Sequence, residues 1–283
     1  MTDRLPIHRA LLLATALTII PMPSPAAGPP VLASYAGYAD LADLALPAPV
    51  IALATIASAS RLTPAEAPGV PAGKLRFYVT SKVTALLKGR EGVPPVVSYL
   101  VDVPLDPQGR PARLKKASVA IFAAPVVGRS GELRLIAPDA QIGETPEVEA
   151  RLRAILTAAV AADAPPQITG VGKAFHVPGA IPGESETQIF LTTVDQRPVS
   201  LSILRRPDEE PSWAVALSEM TDEAALPPAH DTLLWYRLAC TLPAALPDAS
   251  TSELSADDAR AASADYDLVI AGLGPCQRTR KAS

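Results

Sequence analysis

The stretch KLRFYVTSKVTALLKG, residues 74–89, decides how this chain is read. Leu75, Phe77 and Val79 alternate with Lys74, Arg76, Tyr78 and Thr80. A period of two, carried by β-branched and aromatic residues, is the signature of a half-buried strand. Upstream, the loop APGVPAG (67–73) separates it from PVIALATIASASRL (49–62), a second strand-forming run. Downstream, REGVPP (90–95) turns the chain into VVSYLVDVPL (96–105). The polar loop DPQGRPARLKKA follows. Then SVAIFAAPVV and ELRLIAPD flank GRSG (128–131), which reads as a hairpin turn. Residues 48–140 therefore read as about five strands joined by Gly/Pro loops, the strand count of a partly open OB-like β-barrel. An immunoglobulin-like sandwich asks for more strands.

The phrase VTALLKG followed by a strand, then LKKASVAIFA, resembles the secreted OB-type modules in which a Lys-Gly pair ends the second strand. That resemblance implies the barrel, and nucleic acid would be its familiar ligand. The sequence argues against nucleic acid: the formal net charge is −4, and the strands lack a run of exposed aromatics with basic partners. Arg110, Arg113, Lys115 and Lys116 read as a solvated loop. The whole chain resembles uncharacterised exported proteins of Gram-negative bacteria.

The second half begins with the clearest helix, TPEVEARLRAILTAAVAAD (145–163). Thr145 caps it, Pro146 suits its first position, and Pro165 and Pro166 stop it. Val148, Leu152, Ile155, Leu156 and Ala159 form its apolar face, placing it across the join between two halves. Glu147 with Arg151, and Glu149 with Arg153, are spaced for ion pairs. SETQIFLTTV, PVSLSILRR and SWAVALSEM then read as an antiparallel meander turning at DQR (195–197). Two helices close the chain: TLLWYRLACTL, with Asp231 as the expected cap, and ADDARAASADYDLVIAGL, capped by Ser255 and stopped at Gly274-Pro275. The class is mixed α+β: the OB-like region, then an antiparallel sheet with two to three helices over 145–276. Residues 34–47 read as a short helical or irregular lead-in, and 277–283 as a frayed tail.

At the N-terminus, the apolar run from Ala10 to Ile20 spans only 11 residues before Pro21, Pro23 and Pro25. A spanning helix needs about 20. With Arg4 and Arg9 ahead and small residues behind, residues 1–33 read as a signal peptide. Cleavage is expected between residues 26 and 34, at Ser24-Pro25-Ala26 or Val31-Leu32-Ala33. The expected location is periplasmic or secreted, with no transmembrane segment in the mature chain. Cys240 and Cys276, the only cysteines, are then most simply a disulfide. A zinc site would need more ligands at tight spacing, and a Cys-x-x-Cys redox motif is absent. No cofactor or metal is expected.

Chemistry-bearing residues are sparse. Past the leader the histidines are His176 and His230. FHVPGAIPGESE (175–186) gathers His176, Glu184 and Ser185: Ser185 as nucleophile, His176 as its base, Glu184 as orienter, or simply a stiff surface loop. His230 beside Asp231 reads as a capping cluster. Glu219, Asp222 and Glu223 match no calcium-loop spacing and read as an acidic turn. No Gly-x-Ser-x-Gly, Gly-x-Gly-x-x-Gly or Walker loop occurs. The leading expectation is a non-catalytic binding or structural module of the cell envelope, meeting an envelope protein or a small ligand. A hydrolase working in loop 175–186 is the alternative. A chaperone-like helper is a third reading, and it asks for a contiguous exposed apolar patch.

Overall fold

The computed structural model describes residues 36–217 and 226–280. Among these the chain is mixed α+β, with two antiparallel sheets and four α-helices. The signal-peptide stretch and the acidic run Glu219, Asp222 and Glu223 lie outside the described residues.

The lead-in is a helix, α1 (Tyr38–Ala45), and it is core rather than preamble. Tyr38, Leu41, Ala42, Leu44 and Ala45 are all buried. Its Ala, Leu and Tyr side chains pack on several sides, while its two carboxylates, Asp40 and Asp43, find donors elsewhere in the chain. The helix contacts α2 (Pro146–Val160) and α3 (Leu233–Ala239).

The first sheet contains β1 (Val50–Arg61), β2 (Lys74–Lys88), β3 (Val96–Pro104), β4 (Ser118–Pro125) and β5 (Leu133–Leu135), in the order β3-β2-β1-β4-β5. A sixth strand, β6 (Gln141–Gly143), lies just past the expected boundary and pairs with Val119–Ile121 of β4. In β2 the alternation holds: Val79 and Ser81 are buried, while Tyr78 and Lys82 face out. Register shifts between Ile51/Ala52, Leu53/Ala54 and Ile56/Ser58 let long β1 bend. No closed barrel is found among the described residues. The ladder is open, and its ends meet at one parallel bridge between Ser98 and Glu132. Two backbone bonds flank the seam, from Ser98 N–H to the Gly131 carbonyl (2.8 Å) and from Asp102 N–H to the Pro138 carbonyl (2.7 Å).

The second sheet contains the expected three-stranded meander, β8 (Ser185–Thr193), β9 (Val199–Arg205) and β10 (Ser212–Ala216), and an unexpected fourth strand, β7 (Ile168–Pro178), in the order β10-β9-β8-β7. Residues 175–186 are therefore not one loop but the end of β7, a turn and the start of β8. Helix α4 (Ala256–Leu273) contacts β7, and its Ala262, Asp265, Tyr266, Val269 and Leu273 are buried. One continuous cluster of buried apolar side chains runs through both sheets and all four helices.

Local signals explain the helix ends. Thr145 accepts from Val148 N–H at 3.3 Å, and Ser255 from Asp258 N–H at 3.1 Å. Gly274 turns α4 off with φ 67°. Helix α3 differs from expectation: its cap is Thr232, which accepts from Trp235 N–H at 3.2 Å. Asp231 sits at φ 59°, whereas Thr232 has the extended backbone a capping residue requires. In α2, Glu149 pairs with Arg153 at 2.7 Å, but Arg151 points to Asp231 instead of Glu147. The Thr145 hydroxyl beside Glu147 lowers the pKa of that carboxyl.

The tail is not frayed over its described part. Arg278 grips Asp43 through two bonds of 2.6 and 3.0 Å, and Arg280 reaches Asp139 at 2.8 Å. The amides of Thr279 and Arg280 and the Thr279 hydroxyl donate to Asp40. The physical reason is Asp40 itself: a fully buried carboxylate must find donors, and the tail supplies them. Cys240 and Cys276 form a disulfide with Cα atoms 4.9 Å apart, tying the end of α3 to the segment after α4. No helix among the described residues is long and apolar enough to cross a membrane.

Candidate functional site

The register of the second sheet decides the surroundings of His176. Across β7 and β8, His176 faces Thr187, whereas Ser185 faces Pro178 and, on its other side, Arg205. His176 Nδ1 lies 2.7 Å from the Thr187 hydroxyl, and that hydroxyl also bonds Asp265 of α4. Arg205 Nε donates to the other Asp265 oxygen at 2.6 Å. The result is a chain of four side chains in which Asp265 is almost wholly buried.

Donor counting fixes the direction of this chain. The Asp265 carboxylate, paired with Arg205, only accepts, so Thr187 gives it its single proton. The Thr187 oxygen then accepts from Nδ1–H of His176. That assignment commits Nδ1 to Thr187 and leaves Nε2 of His176 outside the chain of bonds, on the side a general base would use. The expected orienter, Glu184, is not in the chain. It closes the β7–β8 turn, its carbonyl accepting from Gly179 N–H at 2.7 Å. Its side chain lies over Gly179, where any Cβ would collide with it. His176 is thus joined to Thr187 and Asp265 rather than to Ser185 and Glu184. Sequence reasoning missed Asp265 and Thr187. The available signal was an acid on the apolar stripe of α4, at the spacing of Ala262, Tyr266 and Val269.

His230 packs its ring on Trp235, with centroids 5.1 Å apart. No group of three metal-binding side chains occurs among the described residues. In the loop 106–117, Asp106 holds Arg110 through its side chain at 3.0 Å and its amide at 2.8 Å, so one of the four loop cations is internally paired.

Two clefts stand apart from the histidine. One, of about 600 Å³, opens along the seam between β3 and β5. Its walls include Tyr78, Leu100, Leu133 and Ile136, with Arg76 and Arg129 held by Asp102 and Glu132. Tyr78 and Leu100 face each other across the β2–β3 ladder and are 42% and 45% exposed. The other, of about 810 Å³, lies where α1, α2 and α3 meet the end of β2 and the start of β7. There Lys88 donates to the carbonyls of Ala45 and Leu46 at 3.1 and 2.9 Å, capping α1. Burial lowers the Lys88 pKa. Burial, and then the Arg197 charge, lower that of Arg237. Tyr236, which donates to Asp43 at 2.6 Å, is pushed up to about 12, first by burial and then by that carboxylate.

On the outer face of the second sheet, Phe175 and Phe190 stack edge-to-face at 5.8 Å. Val177 and Leu204 lie on the same face, interleaved with Glu186, Gln188 and Ser202. Compared with protein-family models and with curated proteins, the chain matches none.

Proposed function

We propose that this chain is an exported, non-catalytic binding module of the Gram-negative cell envelope, with an OB-like barrel as its N-terminal half. The observation that carries the reading is the seam cleft. Between the two bonds that join β3 to the 131–138 segment, the strands part and leave about 600 Å³ walled by apolar side chains and arginines. A concave apolar site with a few fixed polar groups is the usual form of a small-molecule site. The barrel reading is supported by the parallel Ser98–Glu132 bridge, which brings the two ends of the open ladder side by side. Export is supported by the disulfide, since such bonds persist in oxidising compartments.

A thermal-shift screen of small amphipathic molecules tests the site. Hits are expected that Tyr78→Ala and Leu100→Ala abolish without unfolding the chain. An empty screen, or hits indifferent to both substitutions, overturns the assignment. Mass spectrometry of the protein from its native host tests export: the first 26 to 33 residues should be missing, and an intact Met1 in an exported fraction refutes it.

One observation favours a second reading, a hydrolase: His176, held at Nδ1 by the Thr187–Asp265 relay, keeps Nε2 outside that chain of bonds. A fluorophosphonate probe should then label Ser185 in the native chain and fail in His176→Ala. Absence of labelling removes this reading and leaves the relay a structural clasp between β7, β8, β9 and α4.

A further inference from the structure

We propose that the cleft between the two sheets is a binding site for a carboxylate-headed amphiphile, with its acid group on Arg237 and Lys88 and its apolar body along Leu46, Leu87, Leu156 and Val160. This site is separate from the seam cleft and stands or falls independently of it.

Charge accounting comes first. Five ionic groups lie in or beside the cleft: Asp43, Lys88, Arg237 and, nearby, Asp195 with Arg197. Asp43 is taken up by the bidentate grip of Arg278 and by the Tyr236 hydroxyl. Asp195 and Arg197 pair with each other at 2.7 Å. Lys88 already spends two of its protons on the carbonyl end of α1 and keeps one. Arg237 has no ion pair among the described residues, although it is half-buried; burial and then the Arg197 charge lower its pKa, while the Asp195 charge acts the other way. A partly desolvated guanidinium with no acid in direct contact among the described residues carries a cost that an incoming anion removes.

The geometry of the donors selects the anion. One planar guanidinium offers two parallel N–H groups, and Lys88 adds one more. That set of parallel donors matches the two oxygens of a carboxylate more closely than the three oxygens of a phosphate. The walls select the rest of the ligand. Leu46, Leu87, Leu156, Val160 and Ile168 line one continuous cleft whose 810 Å³ falls in the range of sites for small organic ligands. Val160, the last residue of α2, is 83% exposed, so the apolar wall continues to the mouth. A small hydrophilic anion would leave that wall wet.

Isothermal titration calorimetry on the disulfide-closed chain, with decanoate below its micelle concentration, tests the proposal. One site is expected, with decanol and butyrate each binding about tenfold or more weakly than decanoate. Arg237→Gln should weaken decanoate by about tenfold, and Arg237→Lys by less. Val160→Glu changes an exposed position without touching the core, and should weaken decanoate about three- to fivefold with the melting temperature unchanged. The proposal is overturned if decanoate does not bind or if decanol binds equally well. It also fails if inorganic phosphate competes as strongly as decanoate, or if folded Val160→Glu and Arg237→Gln both bind as the parent does.

Discussion

The two sheets bury themselves in different ways. In the first, every residue from Val50 to Ala54 of β1 and from Val119 to Ala123 of β4 is buried, so both faces of the central strands are covered. In the second, Ile189, Leu201 and Ile203 point into the core, while Gln188, Phe190 and Ser202 point away from it. Two-sided burial removes the period of two and leaves a continuous apolar run, whereas one-sided burial keeps the alternation. The same chain thus contains strands that declare their faces and strands that do not.

The largest test of this contrast compares two phenylalanines. Phe122, in the doubly covered β4, has no exposed surface. Phe122→Ala should lose about 3–5 kcal/mol in urea denaturation. Phe190, on the outer face of the second sheet, is 37% exposed and touches Phe175. Phe190→Ala should lose only about 0.5–1.5 kcal/mol. Equal losses would show that the outer face is covered too, and would break the contrast.

Next in size is the disulfide. Closing a loop across a sequence separation of 36 should stabilise the fold by about 3.5–4 kcal/mol in the chain-entropy account. Because the buried cluster runs through both sheets, Cys240→Ala with Cys276→Ala should lower one cooperative transition rather than split it. Two separate transitions, followed by fluorescence and circular dichroism, would mean the sheets unfold as independent bodies.

Much of the second half was legible because each of its signals is local. The α2 and α4 caps, the 195–197 turn and the meander follow from residues within a few positions of one another. The first half yielded its strands, and a short helix was one reading of its lead-in, but the burial of that helix was not legible. Nothing near Tyr38–Ala45 announces that α2 and α3 will cover it, because burial there is decided by partners about a hundred residues or more away. The functional residues divide in the same way. His176 was singled out for its chemistry, but Thr187 and Asp265 reach it through strand register and a helix dock. The tail, basic and polar, carried every local mark of disorder. Its order depends on Asp40, whose burial the local sequence does not reveal.

That tail gives the third test. Burial pushes the Asp40 carboxyl upward, yet the Thr279 hydroxyl and the amides of Arg280, Thr279 and Gly37 together hold its pKa below the ordinary value. A depressed folded value means the stabilisation is present above the unfolded value, about 3.9, and is lost as pH falls through the folded one. The parent should therefore lose stability below about pH 4, and Asp40→Asn should flatten that acid limb. At neutral pH, Asp40→Asn should cost about 1–3 kcal/mol, since one of its two acceptor oxygens becomes a donor facing donors. Unchanged stability at both pH values would return the tail to the frayed state its composition suggests.

The smallest effect separates a local signal from its neighbour. The sequence reading places Asp231 as the cap of α3. The backbone decides otherwise: Asp231 is left-handed at φ 59°, so its carboxylate cannot reach the first free amides as a capping residue does. Thr232 holds Trp235 N–H, and its own hydroxyl donates to the Ala229 carbonyl at 2.7 Å. Thr232→Ala should cost about 1 kcal/mol. Asp231→Asn should cost little, because asparagine tolerates left-handed backbone and the Arg151 contact at 4.0 Å is exposed. If Asp231→Asn proves the costlier change, the charge acts on the helix from outside its cap position, and the half-wet second half depends on electrostatics more than on hydrogen-bond geometry.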